Sequence, residues 1–164
     1  MNKDTTMDFS KRLEIFLQES NAIEDVWDDQ SLKQAKKAWN FLIKQEKLTP
    51  DNICKAHNIL MKYHLSKEES GHFRKQPVWI GGHEAKPWYI IPEFMDFFCN
   101  SIPINIKTLE HTKNWHKLFE CCHPFIDGNG RIGRIIMNWQ RVKSNLPILI
   151  IYNKEKFKYY KWFK

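Results

Sequence analysis

The chain has 164 residues, 42% of them apolar and 14% aromatic, with a formal charge of +7. That length and apolar content suit one domain with a sizeable core and exclude a disordered chain. No apolar run is long enough to cross a bilayer, and the polar N-terminus does not read as a secretory signal. The basic balance leaves nucleic acid, an anionic surface or a phosphate-bearing ligand as partner classes. Cys54, Cys99, Cys121 and Cys122 form no CxxC pair, which points to free thiols and a cytosolic setting.

Taken in chain order, Leu13, Phe16 and Leu17 predict a first helix, and Ala35, Ala38, Trp39 and Leu42 a second. Thr49-Pro50-Asp51 reads as a cap with proline at the first helical position, opening a third helix that carries Ile53, Ala56, Leu60 and Met61. Residues 71–92 are rich in glycine and proline. Pro77 to Ile80, Gly81-Gly82 and Trp88 to Ile91 predict a β-hairpin with a loose tip, over about 76–91. Pro92 opens a helix bearing Phe94, Phe97 and Phe98. From about Lys107 another helix has Trp115, Leu118, Phe119 and Cys122 as its buried stripe, and Pro124 ends it at His123. A last long helix begins near Gly128–Gly130, with Ile132, Ile135, Ile136 and Trp139 as its core face. The tail from Asn153 alternates Lys with aromatics, as an amphipathic closing helix does. The fold class is mainly α with one hairpin.

The chemistry concentrates in His123-Pro124-Phe125-Ile126-Asp127-Gly128-Asn129-Gly130-Arg131-Ile132-Gly133-Arg134. Gly128, Asn129 and Gly130 before a helix let backbone N–H groups converge on an anion at the positive helix end. Arg131 and Arg134 are neighbours on one helix face, with Asn138 a turn further along it. Two permanent cations beside an N–H cradle suit a di- or triphosphate. Asp127 among phosphate binders makes sense as a holder of Mg²⁺, which takes one or two carboxylates plus phosphate oxygens. His123 at a helix end is placed to accept a proton from a hydroxyl. The helix C-terminus favours its charged form and the cationic cradle opposes it, so its protonation stays open at this level.

This segment resembles the signature of Fic (Fido) domains, HxFx(D/E)GNGRxxR, at every defined position. Gly71-His72-Phe73-Arg74 resembles the GxFR stretch that precedes the family's flap hairpin, and Tyr159-Tyr160 its paired tyrosines. The resemblance spans nearly all of residues 1–164 as one helical-bundle domain. It implies a protein adenylyltransferase that moves AMP from ATP to a Ser, Thr or Tyr hydroxyl. His123 would be the base, Asp127 the Mg²⁺ holder, and Gly128, Asn129 and Gly130 the anion hole, with Asn129 orienting the α-phosphate. Arg131 would take the β-phosphate and Arg134 the γ-phosphate. Phe125 would anchor the loop and Asn138 line the nucleotide pocket. The target protein would lie along the flap.

Ser20 and Glu24 match the family's inhibitory motif, (S/T)xxxE(G/N), within a helix over about 10–26. Asp25 departs from the usual Gly or Asn, which puts the end of that helix in question. The resemblance implies a brake in which Glu24 occupies Arg134, and in some members the equivalent Glu also helps remove AMP.

Other readings compete. Relatives with Lys in place of Arg131 transfer the γ-phosphate, and a non-catalytic nucleotide or nucleic-acid binder would use the Lys-rich tail. Intact His123 and Asp127 disfavour the binder. His116, Cys121, Cys122 and His123 match no common zinc spacing. His57, His64, His83 and His111 read as structural or surface residues. The target, the oligomeric state, a toxin-like or effector role, and translocation into a host are not encoded in any motif.

Overall fold

The computed structural model describes residues 8–164. Among the described residues seven helices follow in order: α1 (Phe9–Ile23), α2 (Asp29–Leu42), α3 (Pro50–Met61), α4 (Ile91–Ser101), α5 (Leu109–Cys122), α6 (Asn129–Lys143) and α7 (Lys156–Tyr160). Their starts follow local chemistry. Asp28 caps α2 by accepting from Ser31 N at 2.8 Å. Thr49 and Asn52 form a reciprocal capping box ahead of α3, with Pro50 in the first turn. Thr108 caps α5.

The core gathers around α6, which contacts α1, α2, α3 and α5. Ile132, Ile136 and Trp139 of α6 pack with Phe16, Trp39, Leu42, Ile53, Phe98 and Phe119. Almost the whole circumference of α6 is buried, including Arg131, Arg134, Asn138 and Gln140. Toward its C-terminal half the polar side chains are tied to neighbouring backbone, Asn138 to Leu149 and Gln140 to Pro103. A second cluster of Ile23, Met137, Ile151 and Tyr159, joined by Trp162 and Phe163, docks that segment. It is α7 flanked by two 3₁₀ turns, Asn153–Glu155 and Lys161–Phe163, not one continuous helix. No helix among the described residues is long and apolar enough to cross a membrane.

Two expectations need correction. The hairpin is shorter than 76–91: β1 (Trp79–Ile80) pairs antiparallel with β2 (His83–Glu84) around Gly81-Gly82. Both glycines have positive φ, 54° and 85°, as a tight two-residue hairpin turn requires. Pro87 then removes a donor, and Trp88–Ile90 winds as a 3₁₀ turn into α4 rather than forming a strand. On α4 the buried face is Ile91, Met95, Phe98 and Cys99, while Phe97 is exposed. On α5 it is Thr112, His116, Phe119 and Cys122, rotated away from an exposed Leu118.

Candidate active site

The site is built on the turn between α5 and α6. Helix α5 ends at Cys122, and His123 takes the left-handed conformation, φ 48° and ψ 62°. That conformation costs a non-glycine residue about 1–2 kcal/mol. Arg74, itself buried, offsets it by stapling the turn: its Nε donates to His123 O at 2.7 Å and its Nη2 to Cys122 O at 3.2 Å. The same guanidinium donates to Gln76 O and Lys86 O at the foot of the hairpin.

Phe125 is fully buried and stacks on His57 at 3.7 Å. His57 accepts from Gly71 N at Nδ1, so Nε2 carries the proton donated to Asp127 O at 2.9 Å. Burial pushes its pKa down to about 4 and keeps it neutral. Asn129 closes the loop from inside: Phe125 N donates to its Oδ1, and its Nδ2 donates to Phe125 O, both at 2.9 Å. Its side chain is thus committed to shaping the loop, and what Asn129 presents outward is backbone. Gly128 has φ 77° and lies against Met61, where a Cβ would collide with the sulfur. Beyond it the first-turn N–H groups of α6 have no intrahelical acceptors.

A cleft of about 800 Å³ opens onto this turn, lined by Glu24, His123, Asp127, Gly128, Arg131 and Arg134 together with Ile80, His83, Tyr160 and Phe163. Arg131 is 4% exposed and reaches Met61 Sδ through Nη2. Its buried Nε and Nη1 have no hydrogen-bond partner among the described residues. A guanidinium left in that condition is ready to accept an anion.

Arg134, by contrast, is saturated. Its Nε donates to Ser20 Oγ at 2.9 Å, Nη2 to Ser20 O at 2.8 Å and Glu24 Oε1 at 2.7 Å, and Nη1 to the Tyr159 hydroxyl at 3.4 Å. Gly130 makes this approach possible, because a Cβ there would strike Glu24 Oε1. Helix α1 ends one residue before Glu24. Asp25 adopts φ 56°, its N–H bonds Ala22 O and that of Val26 bonds Asn21 O. Asp25 therefore does terminate the helix, filling the left-handed position of a Schellman motif usually given to glycine.

His123 is 22% exposed at its side chain, and its Nδ1 lies 3.3 Å from Glu120 O. A carbonyl only accepts, so Nδ1 holds the proton and Nε2 keeps its lone pair. Burial lowers the His123 pKa, helped by Arg74, which resolves the protonation left open by the sequence in favour of neutral imidazole. Asp127 is exposed, with Oδ1 accepting from Gly128 N at 2.6 Å. No group of three metal-ligating side chains exists among the described residues. One carboxylate fits Mg²⁺ only as a shared ion, completed by oxygens of a bound phosphate chain.

The structure thus brings together His123, Asp127, the 128–130 turn, Arg131, Arg134, Ser20 and Glu24. It does not bring Asn138 to the cleft. Asn138 is fully buried, its Nδ2 donating to Leu149 O and its Oδ1 accepting from Leu149 N at 2.7 Å, so it pins the strand-like stretch after α6. Sequence reasoning passed over Glu120, while His57, read as structural or surface, is a buried ring that holds the loop. Glu120 stands three residues before His123, a spacing that places both on one helix face and could have drawn notice.

A model of the Fic/DOC family matches residues 47–140. The protein adenylyltransferase Fic of Drosophila willistoni is 31% identical over 132 residues, covering 75% of this chain and 25% of that protein. Its Drosophila virilis counterpart is 30% identical, covering 75% and 26%. The chain therefore spans about a quarter of the length of the curated relatives it matches. A Fic domain containing signaling protein from Bacteroides thetaiotaomicron superposes with a TM-score of 0.77 at 19% identity, covering 93% of this chain and 71% of that one. Fic-1 of C. elegans gives 0.74 at 19% identity, covering 96% and 58%. Those likenesses establish the fold.

Proposed function

Because the chain belongs to the Fic/DOC family, we propose that it is a protein adenylyltransferase that moves AMP from ATP onto a Ser, Thr or Tyr hydroxyl of another protein. The observation that carries this reading is a single cleft lined both by His123, whose Nδ1 lies against the Glu120 carbonyl and leaves Nε2 its lone pair, and by a buried Arg131 with two unpartnered donors. His123 Nε2 takes the acceptor hydroxyl's proton as the oxygen bonds the α-phosphorus. The bond from that phosphorus to the bridging oxygen breaks, and pyrophosphate departs. First-turn N–H groups of α6 stabilise the α-phosphate oxygens, and Arg131 the β-phosphate. Asp127 would hold Mg²⁺, which supplies charge neutralisation of the phosphate chain when bound.

In this reading Arg134 is the γ-phosphate's partner and Glu24 occupies it. Bound ATP then meets a carboxylate where it needs a cation, and its α-phosphate is misplaced. The target's backbone adds alongside the hairpin edge at Trp79 and Ile80, as extended segments do at exposed strands.

The test uses α-labelled and γ-labelled ATP with Mg²⁺ on wild-type, Glu24→Gly and His123→Ala proteins, reading label on the protein and on lysate proteins. The expected result is label from α-ATP alone, stronger in Glu24→Gly and absent in His123→Ala. Label from γ-ATP alone would replace this reading with phosphoryl transfer.

A further inference from the structure

Glu120 lies one turn before His123 on α5, its side chain 12% exposed. Its Oε1 is buried with no hydrogen-bond partner among the described residues. A carboxyl kept in that state asks for a use, since desolvating it without a partner is costly. The fold also makes room for it. Gly133 is in the interior of α6, where glycine weakens a helix relative to alanine, and its φ is not positive. The need there is space: a Cβ would collide with Glu120 Oε1 and stand 3.0 Å from Phe119 and 3.2 Å from His116.

From this notch Glu120 Oε2 lies 3.7 Å from His123 Nδ1, the nitrogen that points away from the acceptor hydroxyl. Oε1 lies 3.9 Å from His116 Nε2, which bonds the Tyr159 hydroxyl at 2.7 Å. The charged and titratable groups facing Glu120 are His116 and His123 from its own helix, Arg134 from α6, Glu24 from α1 and Tyr159 from α7. Arg134 is engaged by Ser20, Glu24 and Tyr159. Burial holds His116 neutral, with its pKa pushed down to about 3. His123 is therefore the neighbour whose charge changes during the reaction.

We infer that Glu120 is a positioning residue for His123: its carboxylate, seated in the notch left by Gly133, receives Nδ1–H as the ring becomes imidazolium and keeps Nε2 aimed at the acceptor hydroxyl. This rests on the reading of His123 as the base. The proton count closes: the hydroxyl's proton goes to Nε2, the ring gains one positive charge, and the Glu120 carboxylate faces it without taking a proton. Burial pushes the Glu120 carboxyl up to about 7, reinforced by Glu24 and opposed by Arg134, so its ionised form is lost as pH falls through neutrality.

The test compares Glu120→Gln and Gly133→Ala with their parent, both in the Glu24→Gly background. Glu120→Gln keeps the shape and removes the charge. Gly133→Ala keeps the charge and fills the notch. Expected for each is a kcat for AMP transfer about tenfold lower or less, an unchanged KM for ATP, and a parent acid limb near neutrality that disappears in Glu120→Gln. Histidine-labelled NMR of the full protein supplies a readout apart from activity: in the parent the His123 ring shifts should follow the Glu120 ionisation near neutrality, a step absent from the His123 titration in Glu120→Gln. Unchanged kcat and pH profile, or an unchanged His123 titration, would overturn the inference. Absence of α-label in the parent itself would instead sink the adenylyltransferase reading, with the His123 titration still deciding the pairing.

Discussion

Replacing Glu24 by glycine should raise AMP transfer, and the structure sets the scale. The Glu24 carboxylate meets Arg134 Nη2 at 2.7 Å, with Arg134 almost wholly buried and the carboxylate 37% exposed. A charge-assisted hydrogen bond contributes about 1.5–3 kcal/mol when well shielded. Solvent screening on the exposed side brings this to about 1–2 kcal/mol. Since 1–2 kcal/mol is a factor of roughly 5–30 in an equilibrium, the productive ATP complex should gain by that much. Glu24→Gln keeps an acceptor oxygen but loses the charge, so it should fall between wild type and Glu24→Gly. The assay is the initial rate of label transfer from α-labelled ATP at subsaturating ATP. Thermal unfolding with and without MgATP gives a second measure, in which ATP should stabilise Glu24→Gly more than wild type. A folded Glu24→Gly protein that transfers AMP no faster than wild type would refute the reasoning.

Arg131→Met should raise the KM for ATP while leaving the melting temperature unchanged or higher, because it removes a buried guanidinium with two unpartnered donors; a clear loss of stability would mean those donors have partners. Asp25→Gly relieves a left-handed φ of 56° and should stabilise the fold by up to about 1 kcal/mol, with lower basal transfer as the helix end tightens; denaturant melts and label transfer check both. Asn138→Ala strands both backbone groups of Leu149 and should cost about 1–3 kcal/mol, with ATP affinity by calorimetry unaltered. Acidification should destabilise the protein. His57 and His116 have folded pKa values near 4 and 3 against an ordinary 6.5, so the unfolded chain binds more protons below 6.5 and that stability is lost as pH falls. Glu120, raised to about 7 from 4.5, works the other way, favouring the fold at low pH, but it is one group against two. Urea midpoints that stay flat from neutrality down to the acid range would contradict the burial of both imidazoles as neutral rings.

Much of the site was legible because its spacing is local. His123 through Arg134 lie within twelve consecutive residues, and turn chemistry plus a helix start determine most of their placement. Ser20 and Glu24 are far from Arg134 in sequence, and only the motif resemblance linked them before the structure put them in contact. The hairpin was harder. Trp88-Tyr89-Ile90-Ile91 has the β-branched and aromatic content of a strand, but the preceding proline and the adjacent Pro92 favour a tight helical turn. Leu118 misled because apolar spacing alone does not say which side of a helix faces inward, and on α5 the buried face runs through Thr112 and His116 instead. Asn138 was placed on the face of Arg131 and Arg134 by helix periodicity, and the resemblance gave it the pocket. Periodicity places a residue on a face but does not say what covers that face, and here the stretch through Leu149 covers it.

Arg74 ties the foot of the hairpin to the catalytic turn, through Gln76 and Lys86 on one side and Cys122 and His123 on the other. Beyond that tie, Gly81 and Gly82 have open space around them and Trp79, Ile80, His83 and Glu84 are solvent-facing. Under the proposed function, recognition falls to the tip of this short segment and chemistry to its foot. On that proposal, substitutions at the tip would leave the Arg74 tie to the histidine in place while reshaping the rim of the cleft at Ile80 and His83, so new clients would be reachable by drift in six residues. Exchanging residues 79–84 between relatives is the corresponding graft, one that leaves the reacting centre in place.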